Sequence, residues 1–73
     1  MPKRNMDLIK TANRHGQLEY RAEGTDLGAV RTGTLVVFGV WLASGDFRLA
    51  YYKGERRYRT EAIAERAIVR WVS

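Results

Sequence analysis

The side chains best suited to bind a ligand lie in a short stretch, Tyr51 to Arg59, that mixes basic and aromatic residues. Its tyrosine rings can stack on bases, on guanidinium groups or on a protein partner. A solvated β-ribbon with a polar outer face gives a similar pattern, so the stretch alone leaves both interpretations open. The cations that could pair with phosphate groups or with an acidic protein surface are Lys53, Arg56, Arg57 and Arg59.

The net charge of the chain favours a polyanionic or acidic partner. Thirteen Lys and Arg residues against eight Asp and Glu residues give a net charge of +5 in 73 residues. Such an excess steers a small domain towards nucleic acid or an acidic protein surface. No apolar run approaches the ~20 residues that span a bilayer, and Asp7 and Lys10 interrupt the start where a signal peptide needs apolar residues. We therefore expect a cytoplasmic protein.

Residues for catalysis are scarce. The chain has one histidine, His15, no cysteine, and only Ser44 and Ser73 as serines, and no pattern links any of them to a base. The glycines lack the spacing and the lysine of a phosphate-binding loop, and no acidic repeat suggests a metal site. We expect no enzymatic activity, no cofactor and no metal. Without disulfides, the fold must be held by its core alone.

Most of the chain has the alternating apolar pattern of strands. Strands are predicted over residues 17–23, 34–43, 47–51 and 56–59. The glycine-rich connection from Gly24 to Gly33 has room for a short extra strand around Ala29 to Thr32. Residues 47–59 should form a hairpin that turns at Lys53 and Gly54. The residues expected in the core of the sheet are Leu35, Val37, Trp41, Phe47 and Leu49.

A C-terminal helix should begin after Thr60, whose hydroxyl can accept a hydrogen bond from an early helical N–H group. Glu61 in the first turn and Arg70 near the end suit the helix dipole. At about 100° per residue, one apolar stripe contains Ala64, Ala67, Ile68, Trp71 and Val72. The predicted fold class is therefore α+β: a small antiparallel sheet of three to four strands with this helix packed on one face.

The N-terminal residues 1–16 are predicted to be an arm outside a single domain of residues 17–73. Residues 5–14 could form a short helix that is capped by Asn5 and ended by Gly16, or the arm could stay mobile until a partner orders it. A frayed terminus is the alternative. The candidate protein-contact residues are Leu8 and Ile9, flanked by the charges of Lys3, Arg4, Lys10 and Arg14.

From Met1–Met6 through the Leu35–Leu42 strand to the Arg66–Ser73 end, the chain resembles the small RNA-polymerase-binding transcription regulators of lytic bacteriophages of the Xanthomonas-phage type. The likeness lies in size, basicity, absence of cysteine and order of segments. It implies a host-takeover protein that binds the largest subunits of bacterial RNA polymerase near the RNA exit path. It also implies inhibition of initiation by sigma displacement, and antitermination.

Under that resemblance, we expect a monomer that binds polymerase with its apolar N-terminal or strand surface. Its arginine-rich hairpin would contact emerging RNA or an acidic polymerase surface. A different class of function remains open, that of a small basic DNA-binding domain that places the Phe47–Arg59 hairpin on a DNA duplex. A phage inhibitor of another host defence enzyme is a third interpretation.

Overall fold

The computed structural model describes residues 8–50 and 54–73. Its elements are β1 (Leu8–Ala12), β2 (Leu18–Ala22), β3 (Leu27–Thr32), β4 (Leu35–Trp41), β5 (Phe47–Leu49), β6 (Glu55–Arg57) and α1 (Glu61–Val72). The strands form one antiparallel sheet, and α1 packs on one of its faces. The predicted α+β class is confirmed. The sheet has six strands rather than three or four, because β1 and β3 join the four strands expected from the sequence.

The strand that organises the sheet is β4. It pairs with β3 from Leu35 to Val40 on one edge, and β1, β2, β3 and β4 follow one another in sequence order. On its other edge, Gly39 pairs with Leu49 of β5, and Val37 pairs with Glu55 of β6. Strands β5 and β6 thus lie end to end along β4. The predicted hairpin between residues 47 and 59 is wrong, because the seven-residue β4 is long enough to pair with both short strands.

The helix predicted near the N-terminus is also wrong for the residues that the structure describes. Residues 8–12 form strand β1, which pairs with β2 from Leu8 opposite Ala22 to Ala12 opposite Leu18. The turn between them is closed by Asn13, whose Oδ1 accepts hydrogen bonds from the backbone N–H groups of His15 and Gln17, at 2.8 and 3.0 Å. An edge of a formed sheet satisfies the backbone of this segment better than an isolated short helix does. Residues 1–7, including the expected cap Asn5, lie outside the described residues.

The core lies between α1 and the sheet. Phe38 of β4 is at its centre, with its ring edge-on to Trp71 of α1 at 5.8 Å and to Tyr58 at 6.4 Å between centroids. The helix begins as predicted, since Thr60 Oγ1 accepts a hydrogen bond of 3.2 Å from the N–H of Ile63. Its apolar stripe also faces the sheet as predicted. The buried core residues are Tyr20, Ala29, Val36, Phe38, Ala50, Ala64 and Ile68.

The five sheet residues predicted for this core lie on the opposite face. Successive side chains of a strand point to alternate faces, so burying Val36 and Phe38 under α1 directs Leu35, Val37 and Trp41 away from it. Phe47 pairs with Trp41, and Leu49 lies on the same side and is 54% exposed. The sequence of β4 is apolar on both faces, so the pattern alone did not determine which face the helix covers.

Candidate binding surfaces

The sheet face away from α1, hereafter the outer face, is built around two aromatic rings. Trp41 of β4 and Phe47 of β5 form a cross-strand pair, with ring centroids 4.7 Å apart. The guanidinium of Arg21 lies 3.8 Å from the Trp41 ring centroid, which is a close cation–π contact. The residues of the outer face are Ile9, Thr11, Glu19, Arg21, Gly28, Val30, Thr32, Leu35, Val37, Gly39, Trp41, Phe47, Leu49, Glu55 and Arg57.

Two paired glycines make room for these rings. Gly28 of β3 lies directly opposite Gly39 of β4. A Cβ atom on Gly28 would collide with the indole of Trp41, and one on Gly39 would collide with the backbone of Arg48 and the ring of Phe47. Because neither glycine has a side chain, both rings lie close against the sheet. The glycine in β4 therefore serves packing rather than a turn.

Beside these rings, the outer face carries an apolar patch that no described element covers. Val30 and Val37 form a cross-strand pair and are half-buried, as is Leu35. Leu49 is exposed, and Ile9 is 48% exposed. Charges of both signs border the patch: Glu19 and Arg21, which form an ion pair of 3.7 Å, and Glu55 and Arg57 of β6. An apolar patch with a charged rim is typical of a protein contact surface.

On the helix side, a charged network joins three strands to α1. The buried Arg31 of β3 donates from Nε to the hydroxyl of Tyr20 at 2.9 Å, and that hydroxyl donates to Glu65 Oε2 at 2.5 Å. Arg31 also pairs with Glu61 at 3.4 Å and with Glu65 at 3.5 Å. Lys10 of β1 completes the network with an ion pair of 2.9 Å to Glu65. Its charges are mutually satisfied, which favours a structural role.

The network shifts the ionisation of its members. The hydrogen bonds from Tyr20 and Lys10 lower the pKa of Glu65 below its ordinary value. Burial, followed by the hydrogen bond to Glu65, raises the pKa of Tyr20. The hydrogen bond to Glu65 and the charge of Glu65 raise the pKa of Lys10. At neutral pH the network therefore holds a carboxylate, a neutral phenol and an ammonium group.

A second surface on the helix side is an open groove of about 590 Å³ between α1 and β6. Three arginines line it: Arg56 from β6, and Arg66 and Arg70 from successive turns of α1. Tyr58 and Trp71 form part of its apolar wall. None of the described residues that line the groove is acidic, and none of the three arginines forms an ion pair with another described residue. We call this surface the arginine groove.

Charge is divided between the two flanks of α1. Glu61 and Glu65 face the network around Arg31, whereas Arg66 and Arg70 line the arginine groove. Arg66 and Arg70 are four residues apart, and like charges at that spacing repel by about 0.2–0.5 kcal/mol. No acidic residue lies three or four positions from either arginine along the chain. The arginine groove thus concentrates positive charge that the described residues do not neutralise.

The structure separates the residues predicted for protein contact. Leu8 is half-buried and packs against the core on the helix side, whereas Ile9 is on the outer face. Lys10 is engaged with Glu65, and Arg14 is exposed in the turn after β1. Leu8 and Ile9 therefore belong to opposite faces of β1. Lys3 and Arg4 lie outside the described residues.

The predicted polyanion-binding residues are divided as well. Arg56 lines the arginine groove, with its guanidinium 5.7 Å from the Tyr58 ring centroid, whereas Arg57 lies on the outer face. Arg59 is exposed just before the helix cap, and Lys53 lies outside the described residues. The sequence interpretation missed Arg66 and Arg70 as groove residues. The signal available in the sequence was the four-residue spacing of these two like charges, with no acidic residue three or four positions from either.

No group of three or more histidine, cysteine, aspartate or glutamate side chains arranged for a metal ion occurs among residues 8–50 and 54–73. The helix of the described part of the chain is too short and too polar to cross a membrane. Comparison with protein-family models, with curated proteins and with solved structures finds no match.

Proposed function

We propose that the protein is a non-enzymatic transcription regulator that binds bacterial RNA polymerase through the outer face of its sheet. The observation that carries this proposal is the uncovered apolar patch of Val30, Leu35, Val37 and Leu49 beside the Trp41–Phe47 pair. A protein partner that covered this patch would remove apolar surface from water, at roughly 25 cal/mol per Å². The folded chain would thus present a preformed contact surface.

The preformed nature of the outer face matters for affinity. Trp41 is fixed by a hydrogen bond of 2.8 Å from its Nε1 to the carbonyl oxygen of Tyr20, by Arg21 above it and by Phe47 beside it. Aromatic side chains that are already ordered lose little conformational entropy when a partner binds. Tryptophan and arginine are enriched in binding hot spots, so Trp41 with Arg21 over its ring would be the expected energetic centre of the contact.

The choice of polymerase as the partner comes from the resemblance to the phage regulators. The net charge of +5 agrees with an acidic partner surface or with nearby RNA. In this proposal, the monomer acts in the host bacterial cytoplasm near the RNA exit path, where it displaces sigma factor and promotes antitermination. The DNA-binding alternative depends on a Phe47–Arg59 hairpin, which the strand pairing does not support, because β5 and β6 pair with β4 and not with each other.

Affinity capture from a bacterial lysate tests the proposal, with nuclease treatment to remove nucleic-acid bridges. The expected result is recovery of the large polymerase subunits after nuclease treatment. Recovery of nucleic acid alone would favour DNA binding, and recovery of a different host enzyme would favour the inhibitor interpretation. Either of these results would contradict the proposal.

Matched variants then locate the contact. Leu49 on the outer face and Val69 on α1 are similarly exposed, at 54% and 49%. Leu49→Gln should weaken capture of polymerase, whereas Val69→Gln should not. With purified polymerase, the parent should release sigma factor and increase readthrough at an intrinsic terminator, and Leu49→Gln should be deficient in both assays.

A further inference from the structure

We infer that the arginine groove is a binding site for single-stranded polynucleotide, in which Arg56, Arg66 and Arg70 contact backbone phosphates and Tyr58 offers a ring to a base. This site is distinct from the outer face, because the sheet lies between the two. The inference rests on the proposed function only in taking RNA as the natural strand.

The charge distribution points to an anionic ligand. Three guanidinium groups from two elements converge on one groove, and no acidic side chain lines it among the described residues. The acidic residues of α1 in the charged network, Glu61 and Glu65, are on the other flank, bound to Arg31 and Lys10. The arginine charges therefore stay available to phosphate groups, to which guanidinium can donate two parallel hydrogen bonds.

The aromatic wall favours a polynucleotide over a simple anion. Tyr58 is half-buried, and its ring is held edge-on against Phe38 at 6.4 Å between centroids. The guanidinium of Arg56 lies over that ring, at 5.7 Å from its centroid. Basic grooves with aromatic side chains bind single strands in a way that tolerates sequence, since every base has a face that can stack.

The shape of the groove favours a single strand over a duplex. The face of α1 that enters duplex grooves in many DNA-binding domains is here committed to the core, with Ala64, Ile68 and Val72 buried. The groove of about 590 Å³ lies open to solvent between this helix and the edge strand β6. An acidic peptide would use the same arginines, but its carboxylate side chains have no ring to stack on Tyr58.

Fluorescence anisotropy with the free protein tests this inference without polymerase. The probes are labelled 15-nucleotide oligo(U) and oligo(dT), a mixed-sequence 15-base-pair duplex, and a labelled polyglutamate peptide. We expect both single strands to bind with dissociation constants on the order of micromolar in about 0.1 M salt, with the duplex and the peptide binding more weakly. Oligo(U) and oligo(dT) differ in the ribose hydroxyl and in the base methyl group, so equal binding of the two would support contacts to the backbone and to the base faces alone.

A charge-matched pair of double variants locates the site. Arg66→Gln with Arg70→Gln removes two groove charges, whereas Arg14→Gln with Arg48→Gln removes two exposed charges outside the groove. The groove variant should lose about tenfold in affinity for oligo(U), and its salt slope should fall by about 1.4, because each lost phosphate contact contributes about 0.7. The control variant should lose less than about threefold.

The replaced arginines are exposed, so both variants should keep the parent's circular dichroism spectrum and melting temperature. Equal losses in the two variants would overturn the inference, as would preference for the duplex or for polyglutamate, or no binding of either single strand. Because the assay contains no polymerase, its failure would leave the proposed docking of the outer face untouched. Failure of polymerase capture would likewise leave this site intact.

Discussion

The indole Nε1 of Trp41 donates a 2.8 Å hydrogen bond to the backbone carbonyl oxygen of Tyr20, which lies two strands away in the sheet. The indole reaches that oxygen by crossing the backbone of Gly28 in the intervening strand. The outer face thus has an ordered aromatic centre although no helix covers it. This ordering explains how a small domain can offer a rigid apolar surface.

The first prediction concerns Gly28, whose replacement by alanine should displace Trp41. We expect Gly28→Ala to lower the free energy of unfolding by about 3–4 kcal/mol, from overpacking and the lost hydrogen bond. Gly24→Ala is the comparison, since a Cβ there meets no atom within 4 Å but the backbone has φ +85°. That variant should lose only about 1–2 kcal/mol. Urea unfolding measures the free energy of unfolding of both variants, and equal losses of stability would contradict the placement of Trp41.

The second prediction tests which face of β4 is buried, using two adjacent valines. Val36 is fully buried under α1, whereas Val37 is half-buried on the outer face. Val36→Ala should cost about 2 kcal/mol or more, because it removes two buried methyl groups and leaves a cavity. Val37→Ala should cost less than half as much. Chemical denaturation measures the free energy of unfolding of both variants, and a larger loss for Val37→Ala than for Val36→Ala would reverse the assignment of the faces.

Several elements of the fold were predictable because local chemistry specifies them. Thr60 has the side chain that caps a helix, and the apolar stripe of α1 has a clear helical period. The face of β4 was not predictable in this way, because Val36 and Val37 are equally apolar. Likewise, Leu8–Ala12 is compatible with a short helix, and only its pairing with β2 makes it a strand.

The candidate surfaces depend on tertiary structure even more strongly. Arg56 and Arg57 are adjacent in sequence, yet the alternation of β6 sends them to opposite faces of the sheet. Arg56 meets Arg66 and Arg70 only because α1 folds back over the sheet. A sequence window around residues 51–59 therefore identifies some of the basic residues but cannot identify the groove that they share.

The third prediction is a pH dependence of stability that originates at Glu65. Its pKa is lowered in the folded state by hydrogen bonds from Tyr20 and Lys10. The folded state therefore favours the carboxylate over the protonated acid. The stability that results is fully present above the ordinary glutamate pKa of 4.5, and it is lost as the pH falls through the lower pKa of the folded state. In the Glu65→Gln variant, the denaturation midpoint should therefore change less with pH in the acid range than it does in the parent.

The control for this prediction is Glu23→Gln, at an exposed turn residue that forms no ion pair with another described residue. It should keep the acid dependence of the parent, while Glu65→Gln should be less stable at neutral pH and less sensitive to acid. The denaturation midpoint in urea, measured from neutral pH to below 4.5, gives the stability at neutral pH and its sensitivity to acid. Identical acid dependence in the parent and in Glu65→Gln would rule out Glu65 as its source.

The central claim is that the outer face of the sheet contacts RNA polymerase, and site-specific crosslinking tests it most directly. The chain has no cysteine, so Leu49→Cys and Val69→Cys each provide one attachment point for a photocrosslinker, at similar exposure on opposite sides of the molecule. With purified core polymerase, the probe at residue 49 should crosslink to a large subunit, and excess unlabelled protein should compete. The probe at residue 69 should give little product. Efficient crosslinking from residue 69 and none from residue 49 would contradict the account.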